Sequence, residues 1–312
     1  MVGKLALGAC ADSTQSINRY MDKILITGAT GQFGYAITRK LLGRIPSSRI
    51  VVLARDASTA NTFSRLGVEV RYGDYRDRSS LAKALRGVRK LMFVPRTGHR
   101  DGLIEHLNVV DAASKFGVDH LFYAAIQHPM SSRFVIPHAT EHDRLTIAAL
   151  KQLRVRHTVL RCPLFLDALP FMLSPYVLTE GIKAPAGPAG GALALRAETA
   201  EAVAILLSED VRAEATFQLG GNDSISMPDI ADMLSRMSGR TLAYQEVSKD
   251  VYIRQRTEEG LPAAAARSMA NWFAALGAGE FSEVTGDMEN LLGRKPVSAA
   301  SFFQSQCERV RA

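Results

Sequence analysis

The sequence of 312 residues predicts an α/β fold in which a parallel β-sheet is covered by helices on both faces. Three observations predict it. Short apolar runs rich in Val, Ile and Leu recur along the first half of the chain, segments with helical periodicity separate them, and the links are short. Continuous apolar runs, as opposed to alternating ones, are typical of strands that are buried on both faces.

The first strand is predicted at residues 23–27, KILIT, and three glycines spaced three apart follow it: Gly28, Gly31 and Gly34. The next segment, residues 33–43, places its apolar side chains on one helical face and ends at a glycine, a typical C-cap. A strand, a glycine-rich turn and a helix in this order are typical of a doubly wound Rossmann fold that binds a dinucleotide. A purely structural turn is the alternative.

Each glycine of this turn has its own expected role. Gly28 permits the tight exit from the strand, Gly31 lets the backbone approach a pyrophosphate, and Gly34 lets the helix pack closely on the sheet. The start of the helix offers free N–H groups and a partial positive charge to the same pyrophosphate. The side chains that complete the expected cradle are Thr30, Gln32 and Phe33.

Five further strands follow along the chain. They are predicted at residues 49–55, 68–74, 90–95, 120–126 and 156–163, with helices at residues 79–85, 103–117 and 138–153. In such sheets the ligand lies along the carboxyl ends of the strands, so residues that follow a strand are candidates for cofactor binding. On this ground the candidates are Arg55, Asp74, Tyr75, Val94, Pro95, Arg96 and Pro163.

Arg55, at the end of the second strand, bears on which dinucleotide is bound. An acidic residue at this position is typical of NAD sites, whereas an arginine fits the 2′-phosphate of NADP. Asp56 follows immediately, which leaves NAD(H) open. The pattern favours NADP(H), and a solvent-exposed arginine without a ligand is the alternative.

The rest of the chain predicts a second, smaller domain that is mixed but mostly helical and binds the substrate. We expect a Rossmann domain at residues 21–163, to which a helix and a last strand at 197–221 return. The substrate-binding domain then comprises residues 164–196 and 222–312, and residues 1–20 form a flexible extension.

An apolar stretch after the sixth strand supplies the candidates for substrate contact. They are Phe165, Phe171 and Met172, although each of them could equally belong to the core. The glycine- and proline-rich residues 181–195 that come later predict a mobile loop or hairpin, loose enough to act as a lid.

Composition narrows the class of protein. Hydrophobic residues make up 47% and charged residues 22%, as in an ordinary globular enzyme, and no apolar run approaches a membrane span. The net charge of +7 suits an anionic ligand, but the basic residues are scattered, which argues against nucleic-acid binding. Three distant cysteines match no metal-ligand spacing and favour a reducing compartment, hence the cytoplasm.

Six stretches of sequence occur in a fixed order between residues 23 and 303: ITGATGQFG, GVEVRYGDYRD, NVVDAASKFGVDHLFY, IPHATEH, HTVLRCPLFLDAL and LLGRKPVSAASFF. Together they resemble the NmrA-like family of atypical short-chain dehydrogenase/reductases, which includes quinone-oxidoreductase-like and triphenylmethane-reductase-like members. The resemblance implies a Rossmann domain, a smaller substrate domain and NAD(P)H-dependent reduction of quinones, dyes or related conjugated compounds. Some relatives are instead NADP-binding regulators without evident catalysis.

The chain departs from the usual dehydrogenase pattern where catalysis is expected. No Tyr-x-x-x-Lys occurs anywhere in it. The resemblance places His138 at the position of the tyrosine, near the nicotinamide, and His142 at that of the lysine. The usual serine after strand five is replaced by Ala124 and Ala125, so Ala124 joins the expected cofactor contacts.

Two histidines spaced four apart leave their role open. A proton-donating pair is chemically sensible because imidazole titrates near neutral pH. The alternative is that His138 helps to hold the nicotinamide ribose while His142 is partly exposed. A metal site is disfavoured because no third ligand is evident. Reduction of a quinone needs little acid assistance, since the developing oxyanion is delocalised and can take its proton from water.

The sequence therefore predicts an NAD(P)H-dependent reductase of a small hydrophobic, conjugated acceptor, acting as a monomer or homodimer. Two alternatives remain open. One is a redox sensor that binds the dinucleotide and a protein partner without turnover, and the other is an isomerase or epimerase that retains its cofactor.

Overall fold

The computed structural model describes residues 23–129, 131–209 and 213–311. The predicted extension at residues 1–20 lies outside these residues. The strands are β1 (Lys23–Ile26), β2 (Ile50–Ala54), β3 (Glu69–Tyr72), β4 (Val88–Phe93), β5 (His120–Ile126), β6 (His157–Cys162), β7 (Ile182–Ala184), β8 (Ala215–Gln218) and β9 (Tyr244–Glu246).

Helices connect the strands and fill the C-terminal part. They are α1 (Gln32–Leu42), α2 (Ala57–Ser64), α3 (Arg78–Ala84), α4 (Gly102–Lys115), α5 (Thr140–Gln152), α6 (Leu169–Met172), α7 (Val177–Glu180), α8 (Arg196–Ser208), α9 (Met227–Ser238), α10 (Lys249–Glu258), α11 (Ala263–Gly277), α12 (Asp287–Leu292) and α13 (Ala299–Arg311). None of the helices in the described part of the chain is long and apolar enough to cross a membrane.

Seven strands form one parallel sheet in the order β3-β2-β1-β4-β5-β6-β8. The order reverses between β1 and β4, where Ile26 pairs with Met92, and such a switch point opens a crevice at the carboxyl ends of the strands. The predicted Rossmann fold is confirmed. β8 lies beside β6, so the segment that begins with α8 does return to this sheet, while the wider division into two domains stays a prediction.

Helices cover both faces of the sheet. On one face, Ile37 and Leu41 of α1 and Val203 of α8 pack on β1 and β2. On the other face, side chains of α3, α4 and α5, among them Leu81 and Leu150, form a separate core. The burial of β2 along its whole length explains why its sequence is continuously apolar, and β5, which is also fully buried, is apolar apart from His120 and the Tyr123 hydroxyl.

The C-terminal helices build a third core of their own. Tyr252 of α10, Phe273 of α11 and Ile230 of α9 are buried in it together with residues of β7. α9 begins at a capping box, in which Ser226 and Asp229 each accept a hydrogen bond from the other's backbone N–H. This core is distinct from the two cores of the sheet.

The structure corrects two details of the sequence prediction. The helix expected from residue 138 begins at Thr140, because His138 has a left-handed backbone with φ 58° and cannot continue a helix. The segment 181–195 is not a loose loop: β7 pairs in parallel with β9, and Ala184, Ala186 and Ala192 are fully buried. Small side chains let this segment pack closely, so its Gly and Ala content indicated close packing and not mobility.

Candidate functional site

A cavity of about 410 Å³ opens at the carboxyl ends of β1 to β4, where the strand order reverses. Its lining residues are Gly28, Thr30, Gly31, Gln32, Phe33, Gly34, Leu53, Arg55, Gly73, Asp74, Tyr75, Arg76, Val94, Pro95, Arg96 and Glu105. The structure thus brings together twelve of the residues that the sequence singled out for cofactor binding. Leu53, Gly73, Arg76 and Glu105 were missed.

The glycine turn forms one wall of the cavity, and its geometry requires glycine at two positions. Gly28 has φ +61°, and a Cβ there would lie 2.7 Å from the carbonyl oxygen of Val94. A Cβ on Gly34 would lie 2.3 Å from the carbonyl oxygen of Gly28. Side chains at these positions would fill the cradle or displace the turn. The turn is therefore built for a group that approaches the backbone itself.

The N-terminus of α1 opens into the same wall. Its N-cap is Gly31, which has no side chain to cap the first N–H groups of the helix. Free N–H groups and the helix dipole at such a terminus attract a phosphate. The start of α1 therefore fits a pyrophosphate, which agrees with the role that the sequence predicted for it.

Hydrogen bonds join the loops after β1, β3 and β4 into one frame. Val94 N–H donates to Thr27 Oγ1 at 3.1 Å, and the Tyr75 hydroxyl donates to the carbonyl oxygen of Val94 at 3.0 Å. Burial raises the pKa of Tyr75, so its hydroxyl stays protonated and remains a donor. These hydrogen bonds hold the three loops of the cavity wall together.

Glu105, on the first turn of α4, pairs with two arginines that line the cavity, Arg76 and Arg96. Its Oε1 accepts from Arg76 Nε at 2.8 Å and from Arg96 Nη2 at 3.2 Å, although the residue is only 5% exposed. His99 Nε2 lies 3.3 Å from Oε2. A buried carboxylate that pairs with two arginines holds both guanidinium groups at the edge of the cavity. Arg55, which lines the same cavity, is exposed.

The two predicted catalytic histidines lie at the start of α5, outside the residues that line the cavity. Their ring centroids are 5.9 Å apart, with His138 exposed and His142 only 7% exposed. Burial, and next the proximity of His138, lower the pKa of His142, which therefore favours the neutral imidazole. His106 of α4 lies 5.9 Å from His142, ring to ring, and was not predicted.

Asp143, next to His142 in sequence, ties α5 to the end of β5. Its carboxylate accepts from Ile126 N–H at 2.6 Å and from the hydroxyl of Tyr123. Burial raises the pKa of Asp143 to about 7, while these two donors act in the opposite direction. The contact fixes the first turn of α5 against the sheet and with it the two histidines.

The remaining predicted residues do not line the cavity. Ala124 lies on β5 and is buried, as is Pro163 after β6. Phe165 approaches the cavity indirectly, since its ring lies 5.2 Å from that of Phe33. The Arg196 guanidinium lies 5.1 Å from the centre of the Phe165 ring.

Phe171 and Met172 are neighbours on α6 with opposite environments. Phe171 is 65% exposed, whereas Met172 is buried in the C-terminal core. Tyr252 donates to the carbonyl oxygen of Met172 at 2.6 Å, and Arg256 Nη2 donates to that of Phe171 at 3.2 Å. Two side chains of α10 therefore fasten α6 and hold Phe171 outward.

The described residues contain no group of three or more His, Cys, Asp or Glu side chains arranged to hold a metal ion.

The chain is similar over most of its length to characterised reductases. It is 28% identical over 278 residues to quinone oxidoreductase 2 of Escherichia coli, covering 89% of this chain and 96% of that protein. The structure of Citrobacter sp. triphenylmethane reductase complexed with NADP(H) matches with a TM-score of 0.82 and 29% identity, covering 91% of this chain and 100% of the other. The NADPH complex of an E. coli quinone oxidoreductase matches with a TM-score of 0.83 and 26% identity, covering 93% and 100%.

The model of the NmrA-like family matches residues 21–300, which comprise the glycine cradle, the whole sheet and most of the C-terminal helices. The resemblance that the six sequence stretches indicated is thereby confirmed, and the chain belongs to the NmrA-like family.

Proposed function

We propose that this protein is an NADP(H)-dependent oxidoreductase that transfers a hydride to a small hydrophobic, conjugated acceptor, such as a quinone or a cationic dye. The observation that carries the proposal is the single cavity in which the glycine cradle, the start of α1 and Arg55 come together. Relatives that share the fold over nearly the whole chain are reductases crystallised with NADP(H) or NADPH.

In this proposal, different residues of the cavity contact different parts of the dinucleotide. Gly28, Gly31 and Gly34 with the first N–H groups of α1 would hold the pyrophosphate. Arg55 would pair with the 2′-phosphate, and Asp74 and Tyr75 would lie along the adenine. When bound, the cofactor supplies the hydride.

Arg55 supports NADP(H) over NAD(H). Its side chain lines the cavity, whereas the neighbouring Asp56 is not among the lining residues. Arg76 and Arg96 line the same wall, but Glu105 accepts from both of them and Asp101 pairs with Arg76. The proposed preference for NADP(H) therefore depends on Arg55.

The acceptor side of the proposal rests on the segment between β6 and α7. Phe165 and Phe171 would offer aromatic surface for a conjugated ring, while Met172, next to Phe171, is buried in the C-terminal core. His138 and His142 would be the hydrogen-bond donors to a carbonyl oxygen of the acceptor. We include a cytoplasmic location and a monomeric or homodimeric state in the proposal.

The test is NADPH oxidation by the purified protein with a panel of quinones and triphenylmethane dyes. Steady turnover well above the rate without enzyme supports the reductase. Tight NADPH binding without turnover of any acceptor would contradict it and favour a redox sensor. Retained nucleotide that is not oxidised, together with conversion of another substrate, would point to an isomerase or epimerase.

A further inference from the structure

Glu105 is a carboxylate in a cavity that the proposed function assigns to a dinucleotide, which is itself negatively charged. It lines this cavity and is only 5% exposed. A negative charge beside a phosphate weakens the binding of that phosphate by Coulomb repulsion. The charge of Glu105 alone therefore does not favour the cofactor, and its hydrogen bonds indicate what else it contributes.

Glu105 is the carboxylate that holds Arg96. Its Oε1 accepts from Arg96 Nη2 at 3.2 Å and from Arg76 Nε at 2.8 Å. Arg76 has a second carboxylate, Asp101, whose Oδ2 lies 3.4 Å from its Nη2. In the described part of the chain, Arg96 pairs with no carboxylate other than Glu105. The position of the Arg96 guanidinium therefore depends on Glu105.

The guanidinium of Arg96 keeps most of its N–H groups for a ligand. Nη2 carries two hydrogens, and it lies 3.2 Å from each of two acceptors, Glu105 Oε1 and His99 Nδ1. Nε and Nη1 carry the other three N–H groups, for which the described residues provide no hydrogen-bond partner. The side chain is about half exposed and lines the cavity. Arg96 can therefore donate to a phosphate without releasing Glu105.

The helix that carries Glu105 is packed firmly against the sheet. Val109 and Ala112 of α4 are buried in the core on that face. Asn108, which like Glu105 is almost fully buried, donates from Nδ2 to the carbonyl oxygen of Tyr75 at 2.9 Å. α4 thus holds the loop after β3 by its backbone and the loop after β4 by the side chain of Arg96.

Arg96 follows the strand that begins the second half of the sheet. β4 is the neighbour of β1, and a Cβ on Gly28 would lie 2.7 Å from the carbonyl oxygen of Val94, two residues before Arg96. Each half of a Rossmann fold binds one nucleotide of the dinucleotide, and β4 opens the second half. A residue after β4 is therefore close to the glycine cradle and belongs to the half that takes the nicotinamide nucleotide.

We propose that Arg96 binds the phosphate of the nicotinamide nucleotide, and that Glu105 is a positioning residue that holds Arg96 for this contact. The proposal rests on the function proposed above, because it needs a dinucleotide in this cavity. The glycine cradle and α1 keep the adenosine phosphate. Glu105 acts only through Arg96, and the oriented guanidinium more than offsets the repulsion between Glu105 and the phosphate.

Nucleotide fragments test which phosphate Arg96 binds. Adenosine 2′,5′-bisphosphate lacks the phosphate of the nicotinamide nucleotide, whereas 2′-phospho-ADP-ribose has it and lacks only the nicotinamide ring. Arg96→Met removes a charge-assisted hydrogen bond, so NADPH and 2′-phospho-ADP-ribose should bind roughly 10-fold more weakly in calorimetric titrations. The affinity for adenosine 2′,5′-bisphosphate should not change.

The matched control for this variant is Arg100→Met. Arg100 is exposed, lies four residues further along the same loop and is not among the lining residues. It should leave the affinity for all three nucleotides unchanged. An equal loss for all three nucleotides with Arg96→Met, a loss confined to NADPH, or no loss at all would overturn the proposal.

Glu105→Asp separates position from charge. Aspartate keeps the negative charge but is shorter by one methylene group, which draws the carboxylate back from both guanidinium groups. Binding of NADPH and 2′-phospho-ADP-ribose should weaken by up to roughly 10-fold, whereas a purely electrostatic role predicts no change. In an Arg96→Met background the same substitution should have no further effect on binding. No loss with Glu105→Asp alone, or the same loss in both backgrounds, would overturn the positioning role.

Glu258→Asp, at an exposed position on α10, is the control for this second variant and should bind all three nucleotides as the unmodified protein does. Urea unfolding shows whether Glu105→Asp keeps its fold, and if it does not, Arg96→Met, which alters a half-exposed side chain, still decides the contact. Absence of binding of any nucleotide by the unmodified protein would overturn this proposal together with the cofactor site. Because binding is measured without turnover, a protein that binds NADPH but reduces no acceptor contradicts only the reductase function.

Discussion

Gly34 packs so closely on Gly28 that a Cβ on Gly34 would lie 2.3 Å from the Gly28 carbonyl oxygen. Gly34→Ala must therefore push the start of α1 away from the turn after β1. Overpacking of this kind costs about 1–3 kcal/mol of stability. We expect a lower unfolding temperature and weaker NADPH binding by calorimetry. Gly43→Ala in the same helix should preserve both, and a Gly34→Ala protein that binds NADPH as before would contradict the cradle.

Arg55→Ala should weaken the binding of NADPH and leave the binding of NADH unchanged. The loss of a charge-assisted hydrogen bond to the 2′-phosphate corresponds to about 1.5–3 kcal/mol, or roughly a 10- to 150-fold weaker affinity for NADPH. NADH lacks this phosphate, so its affinity should not change. Calorimetric titration with both nucleotides measures this difference. If NADH binds the unmodified protein as tightly as NADPH and the substitution changes neither, Asp56 becomes the residue to examine.

Tyr123→Phe should destabilise the protein by way of Asp143. The change removes a buried hydroxyl donor from the carboxylate and leaves Ile126 N–H as its partner. The loss of one of two donors to a buried carboxylate costs about 1–3 kcal/mol. Urea unfolding should show a loss of this size, whereas Tyr72→Phe, an exposed position, should show almost none. Equal stability of the two variants would mean that the Tyr123 contact contributes little.

His106 should make stability depend on pH. Burial, and next His142, lower its pKa from 6.5 to about 4, so the folded protein binds fewer protons than the unfolded chain between these values. The stabilisation is present above pH 6.5 and is lost as the pH falls toward 4. At pH 5 the loss is about 2 kcal/mol relative to pH 8.

The measurement compares urea unfolding of the unmodified protein and of His106→Asn, which keeps a donor toward Thr146. Asp143 acts in the opposite direction because its pKa is raised to about 7, but it is present in both proteins and cancels in the difference. The pH dependence of the variant should be flatter on the acidic side. Parallel pH profiles would show that His106 is not the group that titrates.

Phe171→Ala should change acceptor binding without affecting the cofactor. The ring is exposed and its backbone is fastened by Arg256, so truncation removes apolar contact area and leaves the fold intact. We expect a KM for hydrophobic acceptors that is higher by roughly 10-fold, equivalent to about 1.4 kcal/mol, with the Kd for NADPH unchanged. The control is Phe116→Ala, at an exposed position directly after the last residue of α4. An unchanged KM would remove Phe171 from the acceptor site.

The part of the site that the sequence predicted well is local in the chain. The glycine cradle and the residues after β2, β3 and β4 follow from the rule that ligands lie at the carboxyl ends of parallel strands. Glu105 and Arg76 could not be found in this way, because they meet only when α4 packs beside the loop after β3. The one signal in the sequence was that Glu105, a charged residue, lies on the same helix face as Val109 and Ala112, which is buried.

The spacing of the two predicted histidines gave a wrong start for the helix. His138 and His142 are spaced as helical neighbours, yet the helix starts after His138, whose backbone is left-handed. Their rings are still 5.9 Å apart, so the spatial pairing does not require a continuous helix.

The attachment of α6 to α10, through Tyr252 and Arg256, has an evolutionary consequence. The surface that would meet the acceptor belongs to the C-terminal core, whereas the cradle for the cofactor belongs to the two cores of the sheet. Substitutions in α10 can therefore shift Phe171 without disturbing the glycine turn. Proteins with this fold can therefore change which acceptors they bind while they keep the same dinucleotide site.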